Sequence, residues 1–156
     1  MHSPEESLHK MGIELPDPLA PKGIYRNVLV SGNLVMTSGH LPSDENGNLI
    51  LGKVGLELDQ DAGFAAARQA GLAVLASLRE ALGSLDRIDR VVKILGFVNC
   101  SPDFTAQPAV INGCSELFRD VFGDANGIGI RSAVGTSSLP LGVPVELEAV
   151  FEVAVE

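Results

Sequence analysis

Residues 130–153, IRSAVGTSSLPLGVPVELEAVFEV, contain the pattern that decides the fold of this chain. They are typical of two β-strands separated by a turn rich in Pro and Gly. From Val145 onward apolar and acidic residues alternate, and a period of two indicates a strand with one buried and one solvated face. Arg131 opens the first strand and Glu146 lies early in the second. If the strands lie side by side, or meet across a subunit boundary, a guanidinium and a carboxylate line one site.

Periodicity along the rest of the chain predicts two helices and further strands. Apolar residues recur at steps of three and four over residues 59–82 and again over 108–122, which indicates amphipathic helices. The predicted strands are a hairpin at 25–30 and 34–38, a short strand at 49–51, a buried strand at 89–99 and the two strands of 130–153. The order ββ(β)αβαββ predicts an α+β fold, a mixed β-sheet with both helices on one face.

The first 22 residues differ in composition from the remainder. They contain four prolines and no sustained periodicity, so we expect an N-terminal arm over residues 1–22 and a single domain over 23–156. Residues 7–11 could form a helical turn. We expect residues 1–15 to fold loosely or to lie along the surface.

Composition limits the partners of this chain. Its 156 residues are 46% hydrophobic and 20% charged, enough for one domain with a core. The formal net charge of −9 disfavours nucleic acid, because that binding depends on Lys and Arg against phosphates. No apolar run is long enough to span a membrane and no signal-peptide pattern opens the chain, so we expect a cytoplasmic protein without a membrane partner. Neither the two cysteines nor the three histidines are spaced as metal ligands, so we expect no metal.

Two blocks of sequence together resemble a known family. The first is YRN at 25–27, GNLVMTSG at 32–39 and LP at 41–42; the second is RSAV at 131–134, LP at 139–140 and VELE at 145–148. In order and spacing they resemble the Rid (reactive intermediate deaminase) family, also called the YjgF or L-PSP endoribonuclease family. The resemblance spans roughly residues 24–155 and fits a divergent subgroup.

The resemblance implies a fold, an assembly and a reaction. It implies the chorismate-mutase-like (Rid/YjgF) fold, a homotrimer, and clefts at the subunit interfaces. In those clefts it implies hydrolysis of small 2-imino or enamine acids to 2-keto acids and ammonia, without metal or cofactor. The expected partner is therefore a small-molecule carboxylate.

The resemblance also assigns roles to particular residues. Arg131 matches the arginine that binds the substrate carboxylate, and Glu146 matches the acidic residue that helps to hold and polarise water. The expected substrate-binding residues are Tyr25, Ser38, Gly39, Asn112 and Ala133. A structural alternative stays open for each charged residue: Arg131 could be a surface arginine or pair with Glu146 or Glu148, and Glu146 could be a solvated strand glutamate.

Two departures from the family pattern bear on activity. Ala133 stands where well-studied imine deaminases have a cysteine, and residues 104–109 are about three residues longer than the usual pattern. A binding module of the same fold, which holds a small carboxylate without turnover, is therefore the second hypothesis. Endoribonuclease activity is the third and is disfavoured by the charge.

Overall fold

A mixed β-sheet forms the centre of the computed structural model, which describes residues 2–154. The five strands found there are β1 Val28–Ser31, β2 Leu34–Thr37, β3 Ile88–Asn99, β4 Ile130–Thr136 and β5 Val145–Val153, in the order β1-β2-β5-β3-β4. β3 and β4 run parallel and the other neighbours are antiparallel. The α+β fold predicted from the sequence is confirmed.

The helices of the described residues are α1 Pro4–Lys10, α2 Gln60–Leu82, α3 Gln107–Phe122 and α4 Asp124–Gly127. Asp59 caps α2 by accepting a hydrogen bond from the Ala62 N–H at 2.8 Å, and Gly83 ends it with a φ of 84°. α2 and α3 pack closely because small residues lie at the contact between the two helices. A Cβ on Gly113 would collide with the Phe64 carbonyl oxygen.

The two faces of the sheet have different surroundings. Along β5 the odd-numbered residues from Val145 to Val153 are buried against the helices, whereas Glu146, Glu148 and Glu152 are only partly buried on the opposite face. This alternation confirms the period-two prediction. The helix-free face keeps apolar side chains at the surface, such as Leu29 and Val134, which are 53% and 43% exposed.

The strands that contain Arg131 and Glu146 are not neighbours. β3 lies between β4 and β5, because α3 crosses over from the end of β3 to the start of a parallel β4. The hypothesis that these two strands lie side by side is therefore wrong. Their meeting across a subunit boundary stays a prediction.

The N-terminal segment differs from the loose arm that its prolines predicted. Residues 4–10 form α1, capped by a reciprocal pair of hydrogen bonds between Ser3 and Glu6, and Leu8 is 2% exposed within the core. Glu5 accepts hydrogen bonds from the Arg79 side chain and from the Leu85 N–H. A loose fold is wrong for residues 4–10, since one apolar side chain and one ion pair attach them. The boundary at residue 22 stays a prediction.

Two smaller predictions also differ from the structure. The expected strand at 49–51 is absent from the described residues, where Leu49 forms only an isolated bridge with Ser43. Residues 123–129 contain three glycines, which predict a loop, but the structure has the short helix α4 there. Both segments are too short for periodicity to report on them.

Candidate functional site

Arg131 is a half-buried guanidinium held by neutral partners. Its Nη1 donates to Asn112 Oδ1 at 2.6 Å and to Ser115 Oγ at 3.1 Å. Within residues 2–154 no carboxylate forms an ion pair with it. Two neutral acceptors fix the side chain without neutralising it, so the remaining N–H groups are suited to an anion.

The helix α3 supplies both of those acceptors. Asn112 and Ser115 are three residues apart, so they lie on the same face of the helix, above β4. Asn112 was expected in the site; Ser115 was missed. Its signal in the sequence is the spacing of three from Asn112, which places both polar residues on one face of the predicted helix.

A depression of about 350 Å³ surrounds the Arg131 side chain. Its walls include Asn112, Ser115, Arg119 and the segment 127–129. Gly129 closes one side, where a Cβ would lie 2.6 Å from the Val92 carbonyl oxygen. This volume lies at the lower end of the usual range for small-molecule sites.

Glu146 lies on the opposite face of the sheet from Arg131. Arg131 is in register with Ile94, which is 3% exposed among the core residues, whereas Glu146 is in register with Phe97, three positions further along β3. Successive residues of a strand point to opposite faces, so an odd separation places the two residues on different faces. One subunit therefore does not bring the two charged residues together. Ala133, in register with Gly96, shares the Arg131 face.

A β-bulge next to Glu146 changes the direction of the chain at Ser38 and Gly39. Met36 pairs with Val150 and His40 with Leu147, so three residues lie opposite two. At the bulge the Ala149 N–H donates to the Thr37 side-chain hydroxyl at 3.1 Å instead of to a main-chain carbonyl. Bulges often re-aim residues at functional sites, and this one brings Gly39 to the Glu146 side chain.

Gly39 lies directly beneath the Glu146 carboxylate. A Cβ at position 39 would overlap Glu146 Oε1 and approach Cδ to 2.8 Å, so any larger residue would displace the Glu146 side chain from this position. The neighbouring Ser38 hydroxyl oxygen is buried and has no hydrogen-bond partner in the part of the chain that the structure describes. An unsatisfied buried hydroxyl is a group that a ligand or water can complete.

The environment of Glu146 makes its carboxylate a stronger base. Burial, and then the negative charge of Glu148, raise the pKa of Glu146 above its ordinary value. No hydrogen bond or ion pair to its carboxylate is found within residues 2–154. A half-buried, unpaired carboxylate of this kind can accept a proton from water.

Tyr25 lies near this group in a larger groove. The groove has a volume of about 830 Å³ and is lined by Tyr25, Gly39, His40 and the proline-rich segment 14–20, among others. Tyr25 is 51% exposed, and its hydroxyl oxygen accepts a hydrogen bond from the Lys22 N–H at 3.3 Å. The predicted site residues thus form two groups, one around Arg131 and one around Glu146 and the groove.

Two kinds of feature are absent from residues 2–154. No group of three or more His, Cys, Asp or Glu side chains there is placed to hold a metal ion. No helix there is both long and apolar enough to cross a membrane.

Sequence and structure comparisons define the class to which this fold and site belong. The sequence model described as "YjgF/chorismate mutase-like, putative endoribonuclease" matches residues 5–144, so the chain belongs to that family. The match begins inside α1, earlier than the start near residue 24 that the motifs indicated.

Three relatives illustrate the range of the family. Protein TCP17 of Trypanosoma cruzi is 43% identical over 146 residues, which cover 94% of this chain and 91% of that protein. A structure from Shewanella oneidensis described as a putative endoribonuclease is 30% identical, covers 97% of this chain and 100% of its own, and superposes with a TM-score of 0.92. RidA from an Antarctic Psychrobacter is 28% identical, with coverages of 88% and 94% and a TM-score of 0.60.

Proposed function

We propose that this protein hydrolyses small 2-imino acids to 2-keto acids and ammonia. The observation that carries the proposal is the Arg131 guanidinium, which is half-buried, fixed by Asn112 and Ser115, and without a carboxylate partner within residues 2–154. A planar fork with free N–H groups matches a carboxylate in two-pronged geometry. The similarity to a structure named RidA agrees with this proposal.

The proposed reaction needs a base as well as an anion site. Arg131 binds the substrate carboxylate and thereby places the adjacent C=N carbon. Glu146 accepts a proton from water as the water oxygen bonds to that carbon, and it then passes this proton to the imine nitrogen. Glu146 next moves the hydroxyl proton of the carbinolamine to the nitrogen, and the C–N bond breaks and releases ammonia as the C=O forms. Because an imine is already electrophilic, positioning and one base are sufficient.

The placement of the two charges supports an assembly. Since Arg131 and Glu146 lie on opposite faces of one sheet, we propose that a cleft between subunits of a homotrimer brings together one residue from each of two chains. The apolar side chains on the helix-free face, including Leu29 and Val134, suit such an interface.

Timed decay of imino acids tests the proposal. An amino-acid oxidase generates the imines, and the purified protein should accelerate their loss while ammonia and keto acid appear in equal amounts. Light scattering on the same sample should give the mass of three chains. Saturable binding of a 2-keto acid without faster imine decay would favour the binding-module hypothesis, and a monomer that retains full activity would contradict the shared cleft.

A further inference from the structure

We propose that His40 is a positioning residue that holds the Ser38–Gly39 bulge beneath Glu146. The proposal rests on the proposed function for its kinetic test, and on the geometry of the bulge for its structural test. It assigns His40 no contact with substrate.

His40 is tied to its surroundings by four hydrogen bonds. Its main chain exchanges two bonds with Leu147, at 2.7 and 3.1 Å, next to Glu146 on β5. Its ring Nδ1 lies 2.8 Å from the Ser38 carbonyl oxygen, and its Nε2 lies 2.8 Å from the Ser77 hydroxyl of α2. His40 and Ser77 are only 8% and 2% exposed. One side chain thus joins the bulge to the helix layer.

The partners fix which ring nitrogen has the proton. A carbonyl oxygen can only accept, so Nδ1 donates to Ser38, and Nε2 of the neutral ring accepts from the Ser77 hydroxyl. Burial lowers the pKa of His40, which agrees with the neutral ring. The bond from Nδ1 to the Ser38 carbonyl is therefore the contact that holds the bulge, and the Ser77 bond is an additional contact to α2.

The bulge needs such a link because its own ladder is incomplete. One of the residues between Met36 and His40 has no partner on β5, and the Ala149 N–H is bonded to a side chain. The Ser38 carbonyl belongs to the peptide plane that continues into Gly39, and Gly39 is the surface on which the Glu146 carboxylate rests. Rotation of that plane would displace Gly39 relative to Glu146.

Two substitutions separate the two ends of the ring. Asn can place its amide nitrogen where Nδ1 was, so His40→Asn keeps the hydrogen bond to the Ser38 carbonyl and loses the hydrogen bond to the Ser77 hydroxyl. Gln reaches the position of Nε2, so His40→Gln keeps Ser77 and loses Ser38. Ser77→Ala is the matched control, because it removes the helix contact and leaves the ring in place.

The proposal predicts a split between these variants in kcat. We expect His40→Gln to lower kcat at least about tenfold with KM changed less than about twofold, since a small displacement of reacting groups has a large kinetic cost. We expect His40→Asn to restore most of that loss, and Ser77→Ala to stay within about threefold of the unmodified protein. Equal kcat losses in His40→Asn and His40→Gln, or full kcat in His40→Gln, would overturn the proposal.

A second measurement does not depend on turnover. The ¹H–¹⁵N resonance of Gly39 should shift and broaden in His40→Gln and stay close to its original position in His40→Asn. An unchanged Gly39 resonance in His40→Gln would overturn the positioning role even if activity fell. If the unmodified protein hydrolyses no imine, the proposed function fails, whereas the Gly39 resonances still decide the role of His40.

Discussion

Two half-buried arginines in this molecule have opposite surroundings. Arg79 on α2 donates to both oxygens of Glu5, at 3.1 and 2.6 Å, and the same carboxylate accepts the Leu85 N–H. Within residues 2–154, Arg131 on β4 donates to the neutral oxygens of Asn112 and Ser115 and forms no ion pair. The first arginine is neutralised within the chain, and the second is fixed but not neutralised.

The difference indicates what each arginine does. The Arg79–Glu5 ion pair attaches α1 to the core. Because its two charges neutralise each other, it offers no free charge to a ligand. A half-buried charge without a counter-ion is unfavourable for folding, so its retention indicates a use outside folding. Glu146, on the opposite face, is likewise a charged side chain without a partner within residues 2–154. We call Arg131 and Glu146 the open charges, and the Arg79–Glu5 ion pair the closed pair. This contrast predicts that changes at the open charges affect chemistry, whereas changes at the closed pair affect stability.

The largest effect is expected from Arg131→Lys. Lysine keeps the positive charge but loses the two-pronged donor, and loss of such a contact is worth roughly 2–4 kcal/mol, or about 30- to 1000-fold in kcat/KM. Arg79→Lys is the matched control and should leave kcat/KM nearly unchanged. Steady-state kinetics on imino acids measures both. Imine hydrolysis by Arg131→Lys at the original rate would remove the open arginine from the mechanism.

Glu146→Gln should have the next largest effect, on turnover rather than on binding. Gln keeps the shape and can still hydrogen-bond, but it cannot accept a proton from water, so we expect kcat to fall by about 10- to 100-fold with KM nearly constant. Glu148→Gln, on the same face of β5, is the control, with an expected change of less than about threefold. Equal losses in the two variants would show that the charge of this face matters, not the Glu146 carboxylate itself.

The closed pair predicts the reverse behaviour for Glu5→Gln. The variant loses the ion pair with Arg79, which is partly exposed, so the free energy of unfolding should fall by about 1 kcal/mol. Urea unfolding measures this loss, and kcat/KM should stay the same. An activity loss with unchanged stability would mean that α1 takes part in the site.

The sequence predicted the sheet and the long helices because their periodicity depends on burial, which local pattern reports. Tyr25, Gly39 and Asn112 were implied by the resemblance to the family, and the structure places all three at cavities or charged groups. The position of Glu146 relative to Arg131 could not be read from the sequence, because it depends on β3 inserting between β4 and β5. The docking of α1 through Leu8 and Glu5 was also missed. Glu5 binds Arg79 and Leu85, which lie more than 70 residues further along the chain, and local sequence pattern does not report contacts over such distances.

The smallest expected effect is a pH dependence of stability that originates at Glu146. Its folded-state pKa is raised by burial and by Glu148, so the folded chain holds this proton more strongly than the unfolded chain. The stability that protonation contributes is therefore fully present below the unfolded pKa of about 4.5 and is lost as pH rises through the folded pKa. Glu146→Gln removes this titration, so its stability relative to the unmodified protein should rise as pH increases from the unfolded pKa through the folded pKa, and then level off.

The size of this effect is limited because Glu146 is about half exposed, and we expect less than about 1 kcal/mol. Urea unfolding of both proteins at matched pH values measures it. Glu148→Gln should weaken the dependence without abolishing it, since burial is the larger cause. A slope of the opposite sign would mean that a cation lies against Glu146 in the folded protein. The Arg131 of a neighbouring subunit is the cation that the proposed cleft offers, so that result would show that the two open charges pair across subunits before substrate arrives.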